Sequence, residues 1–260
     1  MNQVARPALH LWRHRDGVLH LDDLVPLLNE RTRLVQISLV GFYNGHRIPF
    51  RPLHDLVRRL APNTLISVDI TQAVGRVTLD CTGADILISS THKWTLGIHG
   101  GCIIGVPTRN ARRLTTNAGG WYHLSNAFDA DRFERLVVKV GTASFSVGMP
   151  NFISLYALNA ALRYLDAISI PAITAHADPV MEHLQDGLRD LGVKTLCHWE
   201  KQSPSGIIAF QHTNSAAIHA QLLGANVHIM HSAGRLRIAV HGYNTREDIE
   251  ALLSVLRKVV

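Results

Sequence analysis

Cysteine is scarce in this chain. Three thiols among 260 residues, Cys81, Cys102 and Cys197, lie far apart and form no CxxC pair. That argues against a disulfide scaffold and points to a reducing compartment. Charge is thin as well, at 18% of residues, and no basic block is longer than Arg109 to Arg113. A net charge of +6 spread this way, without interleaved aromatics, reads as an ordinary basic surface and not as a nucleic-acid footprint. No apolar run is long enough to span a bilayer, and the N-terminus lacks the apolar core of a signal peptide. A cytoplasmic protein with no membrane or nucleic-acid partner is therefore expected. The 16 histidines show neither HExxH nor finger-like spacing. The group His10, His14 and His20 has no acidic ligand beside it, so no metal is expected.

What is present is apolar sequence, 47% of the residues, enough in a chain of this length to bury a large core. Its pattern alternates. Pro7 to Trp12 reads as a short strand, Leu21 to Glu30 as a helix with Asp22 and Asp23 at its positive end. Leu34 to Val40 reads as a strand, Pro52 to Leu60 as a helix, and Leu65 to Val68 as a strand carrying Asp69 at its carboxyl end. Ile86 to Ser89 and Gly101 to Val106 continue the series. This β-α-β-α-β beginning, with continuous apolar strands, predicts an α/β fold with a mainly parallel sheet covered on both faces. From Asn151 the pattern changes to two long helices, the first over Asn151 to Ala167, with a break at Ile168-Ser169-Ile170-Pro171, and the second closed by Gly192. Shorter elements follow: strands at Val193 to Leu196, Ile207 to Phe210, Val227 to Met230 and Leu236 to Val240, and helices over Ala216 to Leu223 and after Asn244-Thr245.

Open α/β sheets bind ligands at the carboxyl ends of their strands, so Asp69, Gln72 and Lys93 are expected to share one crevice. Lys93 follows Ser90-Thr91-His92 just past a strand. A lysine amine there can attack a carbonyl once it is desolvated or set near positive charge. A carboxylate such as Asp69 at the end of an apolar strand needs a partner, and a protonated pyridine nitrogen is one. Helix capping is the plainer alternative. Gln72 could face a ring oxygen, while Ser90 and His92 offer a hydroxyl and an imidazole.

Asp69-x-x-Gln72, Ser90-Thr91-His92-Lys93 and Tyr243-Asn244-Thr245, in this order, make the chain resemble the class V aminotransferase family. That family includes cysteine desulfurases, isopenicillin N epimerase-like proteins and kynureninases. The resemblance runs from about Asp16 to the C-terminus. It implies the fold type I of pyridoxal phosphate (PLP) enzymes: an incomplete large domain over 1–168 and a small C-terminal α/β domain over 169–260. It implies a Schiff base on Lys93, Asp69 on the pyridinium, Gln72 on O3′, and Ser90 and His92 on the phosphate. Arg237, six residues before Tyr243, would grip the carboxylate of a small amino-acid substrate, with Arg235 as the nearby competitor. A homodimer is implied as well.

The chain also departs from the family. It begins past the small-residue phosphate turn and the ring-stacking aromatic, which removes a helix N-terminus from the phosphate site. Met149 stands where a threonine usually reaches a neighbouring subunit's phosphate, and Phe42 where many members have asparagine. The stretch from His228 to Gly234 has no cysteine to accept sulfur, which argues against desulfurase chemistry. Two readings follow: a PLP-dependent enzyme, or a truncated, non-catalytic relative that keeps the fold and acts by binding or as part of a larger assembly.

Overall fold

The computed structural model describes residues 7–198, 200 and 203–260. The first sheet is built from β1 (Leu34–Ser38), β2 (Leu65–Asp69), β3 (Ile86–Ser90) and β4 (Cys102–Gly105), in that spatial order. β1, β2 and β3 run parallel, so the carboxyl ends of β2 and β3 emerge side by side. β4 turns back antiparallel, pairing Cys102 with Ser90. Alternation sets the faces: Val35 and Ile37 of β1 are buried, while Leu34, Gln36 and Ser38 are exposed. Ile66 and Val68 of β2 are fully buried against Leu53 and Val57 of helix α2 (Phe50–Leu60). That helix buries Phe50, Leu53, Leu56 and Val57, the i, i+3, i+6, i+7 stripe that a period of 3.6 residues places on one side.

Two expectations for the N-terminal part are corrected. Residues 7–12 form no strand. Only the turn at Asp16-Gly17 survives there, closed by an isolated bridge between Arg15 and Val18. The helix expected over Leu21 to Glu30 shrinks to α1 (Leu21–Leu24) and a 3₁₀ turn over Val25–Leu27. Pro26 has no N–H to bond back to residue 22, so the α-helix cannot continue through it.

Asp85 anchors the base of this sheet. Its carboxylate accepts from the Ile66 N–H at 2.8 Å, Arg58 at 2.6 Å and Asn110 Nδ2 at 2.7 Å. Burial alone would raise its pKa, but these three donors outweigh burial and hold the carboxyl below its ordinary value. A depressed folded-state pKa adds stability above the unfolded value, near 3.9, which is lost as pH falls toward the folded one. Asp85→Asn is therefore expected to lower stability at neutral pH by about 1–3 kcal/mol. It should also flatten the loss of stability below pH ~4, read from urea midpoints across an acid series.

The second half begins with α3 (Phe152–Ile168) and α4 (Ile170–Asp190), separated by Ser169 at φ 73°. The Ser169 side chain accepts from the Ala172 N–H and so caps the second helix. β5 (Ile207–Gln211), β7 (Arg235–Ala239) and β6 (Met230–Ser232) make an antiparallel sheet in the order β5-β7-β6. α4, α5 (Ser215–Gly224) and α6 (Arg246–Leu256) pack on it around Met181, Leu184, Phe210, Leu222, Leu236 and Leu253. Thr245 and Asp248 form a reciprocal capping box at the start of α6. The strand expected over Val193 to Leu196 is reduced to a bridge between Thr195 and Phe210. The strand expected over Val227 to Met230 sits later, at Met230–Ser232, because Asn226 at φ 60° still belongs to the turn out of α5. Among the described residues no helix is long and apolar enough to cross a membrane.

Candidate active site

The carboxyl ends of β2 and β3 bring Asp69, Gln72, Ser90 and Lys93 to one end of the sheet. Thr71 stitches the two ends together: its hydroxyl accepts from the Ser90 N–H at 3.1 Å, and the Ile70 N–H donates to Ile88 O. Asp69 is half-buried, and its Oδ1 accepts from the Thr71 N–H at 2.8 Å. This is the local turn-forming role of an aspartate after a strand. The second carboxylate oxygen makes no hydrogen bond to another described residue.

Gln72 is buried, and its Oε1 accepts from the Trp94 indole N–H at 2.7 Å. Its amide N–H₂ has no partner among the described residues. Lys93 itself is exposed. The loop that carries it is closed by Thr91, whose hydroxyl bonds the carbonyls of Ile98 at 2.8 Å and Gly101 at 3.2 Å. Ser90 Oγ is buried and lacks a partner among the described residues. A buried hydroxyl left this way costs about 1–3 kcal/mol, so its position needs an explanation beyond packing. The His92 ring stacks on His99, with centroids 3.7 Å apart and planes at 18°. Partial desolvation, then the charges of His99 and Lys93, lower the His92 pKa.

Arg237 arrives from the second sheet. Its Nη1 donates to Phe42 O at 3.0 Å, just beyond β1, and its Nε is buried without a partner among the described residues. Burial, then the neighbouring charge of Arg235, lowers its pKa. Arg235 is differently placed. It is 4% exposed, bonds Tyr43 O at 2.7 Å, and lies 4.2 Å over the Tyr43 ring. Of the two arginines, Arg237 keeps the freer guanidinium. Met149 lies exposed before α3, with no hydroxyl to offer.

Sequence reasoning missed several residues of this region: Trp94, His99, His241 and Arg76. Trp94 directly follows the Ser90-Thr91-His92-Lys93 motif, but nothing in spacing ties it to a glutamine 22 residues upstream.

The site thus sets one lysine, one carboxylate, one amide and one hydroxyl on adjoining strand ends, while Arg237 from the second sheet reaches the backbone at Phe42, just past β1. A family model for Aminotransferase class-V matches residues 8–252. The chain is 26% identical over 236 residues to the uncharacterized aminotransferase YcbU of Bacillus subtilis, covering 90% of this chain and 61% of that protein. It is 26% identical over 261 residues to a cysteine desulfurase of Klebsiella pneumoniae, covering 94% and 62% respectively. The chain therefore spans about three fifths of the length of these curated relatives. Among solved structures, the apo cysteine desulfurase of Thermococcus onnurineus superposes with a TM-score of 0.82 at 19% identity, covering 96% of this chain and 66% of that one. The cystine C–S lyase C-DES, solved with its product cysteine persulfide, superposes at 0.80 and 21% identity, covering 91% and 64%. With the family model matching nearly its whole length, the chain belongs to the class-V aminotransferase family and has the fold of its PLP-dependent members.

Proposed function

We propose that this chain carries the lysine half of a PLP-dependent active site and transforms a small amino acid. The observation that carries the reading is the set of uncommitted groups at the carboxyl end of one sheet. The second oxygen of Asp69, the Gln72 N–H₂, the Ser90 hydroxyl and the Lys93 amine each lack a partner among the described residues. This set fits PLP in its chemistry: an anion for a pyridinium, donors for a phenolic oxygen and for phosphate, and an amine for an aldehyde. When bound, PLP supplies an electron sink for charge developing at the substrate Cα. Lys93 Nζ would hold the cofactor's aldehyde carbon and carry the proton to and from Cα. Asp69 would keep the pyridine nitrogen protonated, while Ser90 and His92 would contact the phosphate. Arg237 would orient the substrate through its carboxylate.

Sulfur transfer through Cys81 or Cys197 is not proposed. Burial, together with acidic neighbours, pushes the Cys81 and Cys197 thiols up to about 11, so neither supplies a thiolate near neutral pH. His46 does not change this: its Nε2 accepts from the Leu19 N–H, so Nδ1 faces Cys197 as a donor and not as a base.

The domain boundary near 168/169 is part of this proposal, supported by the Ser169 break and by the two separate apolar clusters on either side of it. So are a cytoplasmic location and a homodimer. α3 presents Phe152, Ile153, Tyr156 and Tyr164 to solvent, more apolar surface than an isolated helix face normally leaves open. A second copy is the proposed cover, and sedimentation at rising concentration should show a dimer; a monomer throughout removes it.

The activity test begins with spectroscopy. PLP added to the purified chain should give a visible absorption band that amino acids alter. Arg237→Ala should leave the band and weaken the amino-acid response by roughly tenfold or more in half-saturating concentration. An unchanged response removes Arg237 from the site, and no band in the parent chain at saturating PLP sinks the cofactor reading.

A further inference from the structure

A glutamine carboxamide can present either its oxygen or its N–H₂ to a ligand, and strand geometry does not choose between them. Here the choice is made by Trp94. An indole nitrogen is a donor only, so the atom it meets in Gln72 must be the carbonyl oxygen. The bond is 2.7 Å and buried, and it leaves the N–H₂ as the only end of Gln72 free to meet anything else.

Trp94 is itself held on every side. Its ring packs where a Cβ on Gly206 would collide with it, and its carbonyl lies where a Cβ on Gly75, at φ +92°, would sit. That carbonyl accepts from His241 Nε2 at 3.2 Å. The tautomer is fixed because His241 Nδ1 accepts from the Gly242 N–H at 2.7 Å. The His241 ring also stacks on Trp94, at 5.7 Å and 20°. The indole is thus clamped by the second sheet's trailing loop and cannot rotate to release the glutamine.

We propose that Trp94 is a positioning residue: it orients the Gln72 carboxamide so that its N–H₂, and not its oxygen, faces the phenolic oxygen of the cofactor. This rests on the PLP reading above. A donor at that oxygen favours its anionic form, whereas a carbonyl lone pair there would oppose it. Losing the donor should therefore raise the pH at which the cofactor's visible band converts. Asp69 at the end of β2, His92 and Lys93 after β3, and His241 and Arg76 near Trp94 are the other titratable and charged groups around the pair. All five are retained in the variants below.

The first readout needs no cofactor. The Trp94 indole N–H, assigned by its loss in Trp94→Phe, should resonate in a ¹⁵N–¹H spectrum as a slowly exchanging proton and shift in Gln72→Leu. An indole signal indifferent to Gln72→Leu overturns the proposal. The second readout is the pH midpoint of the visible band. Gln72→Leu and Trp94→Phe should each raise it by roughly half to one pH unit, and the double variant should add little more. A midpoint moved by Gln72→Leu but not by Trp94→Phe also overturns the proposal. If the parent chain gives no band at all, the cofactor reading fails and the role at the phenolic oxygen fails with it. Gln72→Leu, which leaves the packed indole ring in place, keeps the test open should Trp94→Phe fold poorly.

Discussion

Lys93→Ala is expected to abolish the visible PLP band completely and to lower turnover by roughly 10⁴-fold, the scale of a lost proton-transferring group. The effect should be local. Lys93 is exposed, and no hydrogen bond from its side chain supports the loop, so the variant's unfolding midpoint should stay within about 0.5 kcal/mol of the parent. The loop is held instead by Thr91 through Ile98 and Gly101, and by Trp94 through Gln72 and His241. Lys93→Arg separates charge from nucleophilicity: the cation remains, but the guanidinium does not deprotonate and cannot bond a carbonyl carbon. It should lose the band as fully as Lys93→Ala does. A band that survives either substitution would place the reactive amine elsewhere. Partial recovery of turnover in Lys93→Ala with a small added primary amine would identify the missing group as the proton carrier.

The parts of this site that were legible in the sequence are those governed by local rules. Continuous β-branched and aliphatic runs mark β2 and β3, and Asp69 and Lys93 follow from where those runs stop. The helix starts at Asn151 and Thr245 were legible too, because caps are chosen within four residues of the helix they begin. What was not legible depends on contacts between distant residues. Nothing in Gly101 to Val106 says that this strand turns antiparallel, since an apolar run reads alike in either direction. Val193 to Leu196 has strand composition, yet it finds only one bridging partner at the edge of β5. The Trp94–Gln72 bond and the choice of Arg237 over Arg235 are set by how the second sheet docks on the first. Only the fold places Arg235 over Tyr43, with both of its Nη atoms bonded, and leaves Arg237 beside Phe42 with one Nη bonded among the described residues.

That docking rests on Arg76, four residues after Gln72, and it sets the second large effect. Arg76 is fully buried, and burial lowers its pKa. Its Nη2 pairs with Asp178 of α4 at 2.8 Å, its Nε donates to Val240 O at 2.9 Å, and Thr174 donates to its own carbonyl at 3.2 Å. Nη1 has no partner. Removing the carboxylate strands a cation in the interior, so Asp178→Ala should cost about 3–5 kcal/mol, read as a lowered urea midpoint. Arg76→Met should cost less, because the Asp178 side chain is 14% exposed and can recover some hydration. Arg76→Met with Asp178→Leu should recover most of the loss, since an apolar pair of similar volume needs no desolvation of charge. A double variant no better than Asp178→Ala would mean that the Val240 bond, and not the ion pair, holds the interface. The consequence reaches the site, because Gln72 lies between Arg76 and Asp69 on the segment that the second sheet pins. Asp178→Ala should therefore weaken PLP uptake even under conditions where the chain remains folded, while Asp85→Asn, at the opposite end of the same sheet, should lower stability without that loss.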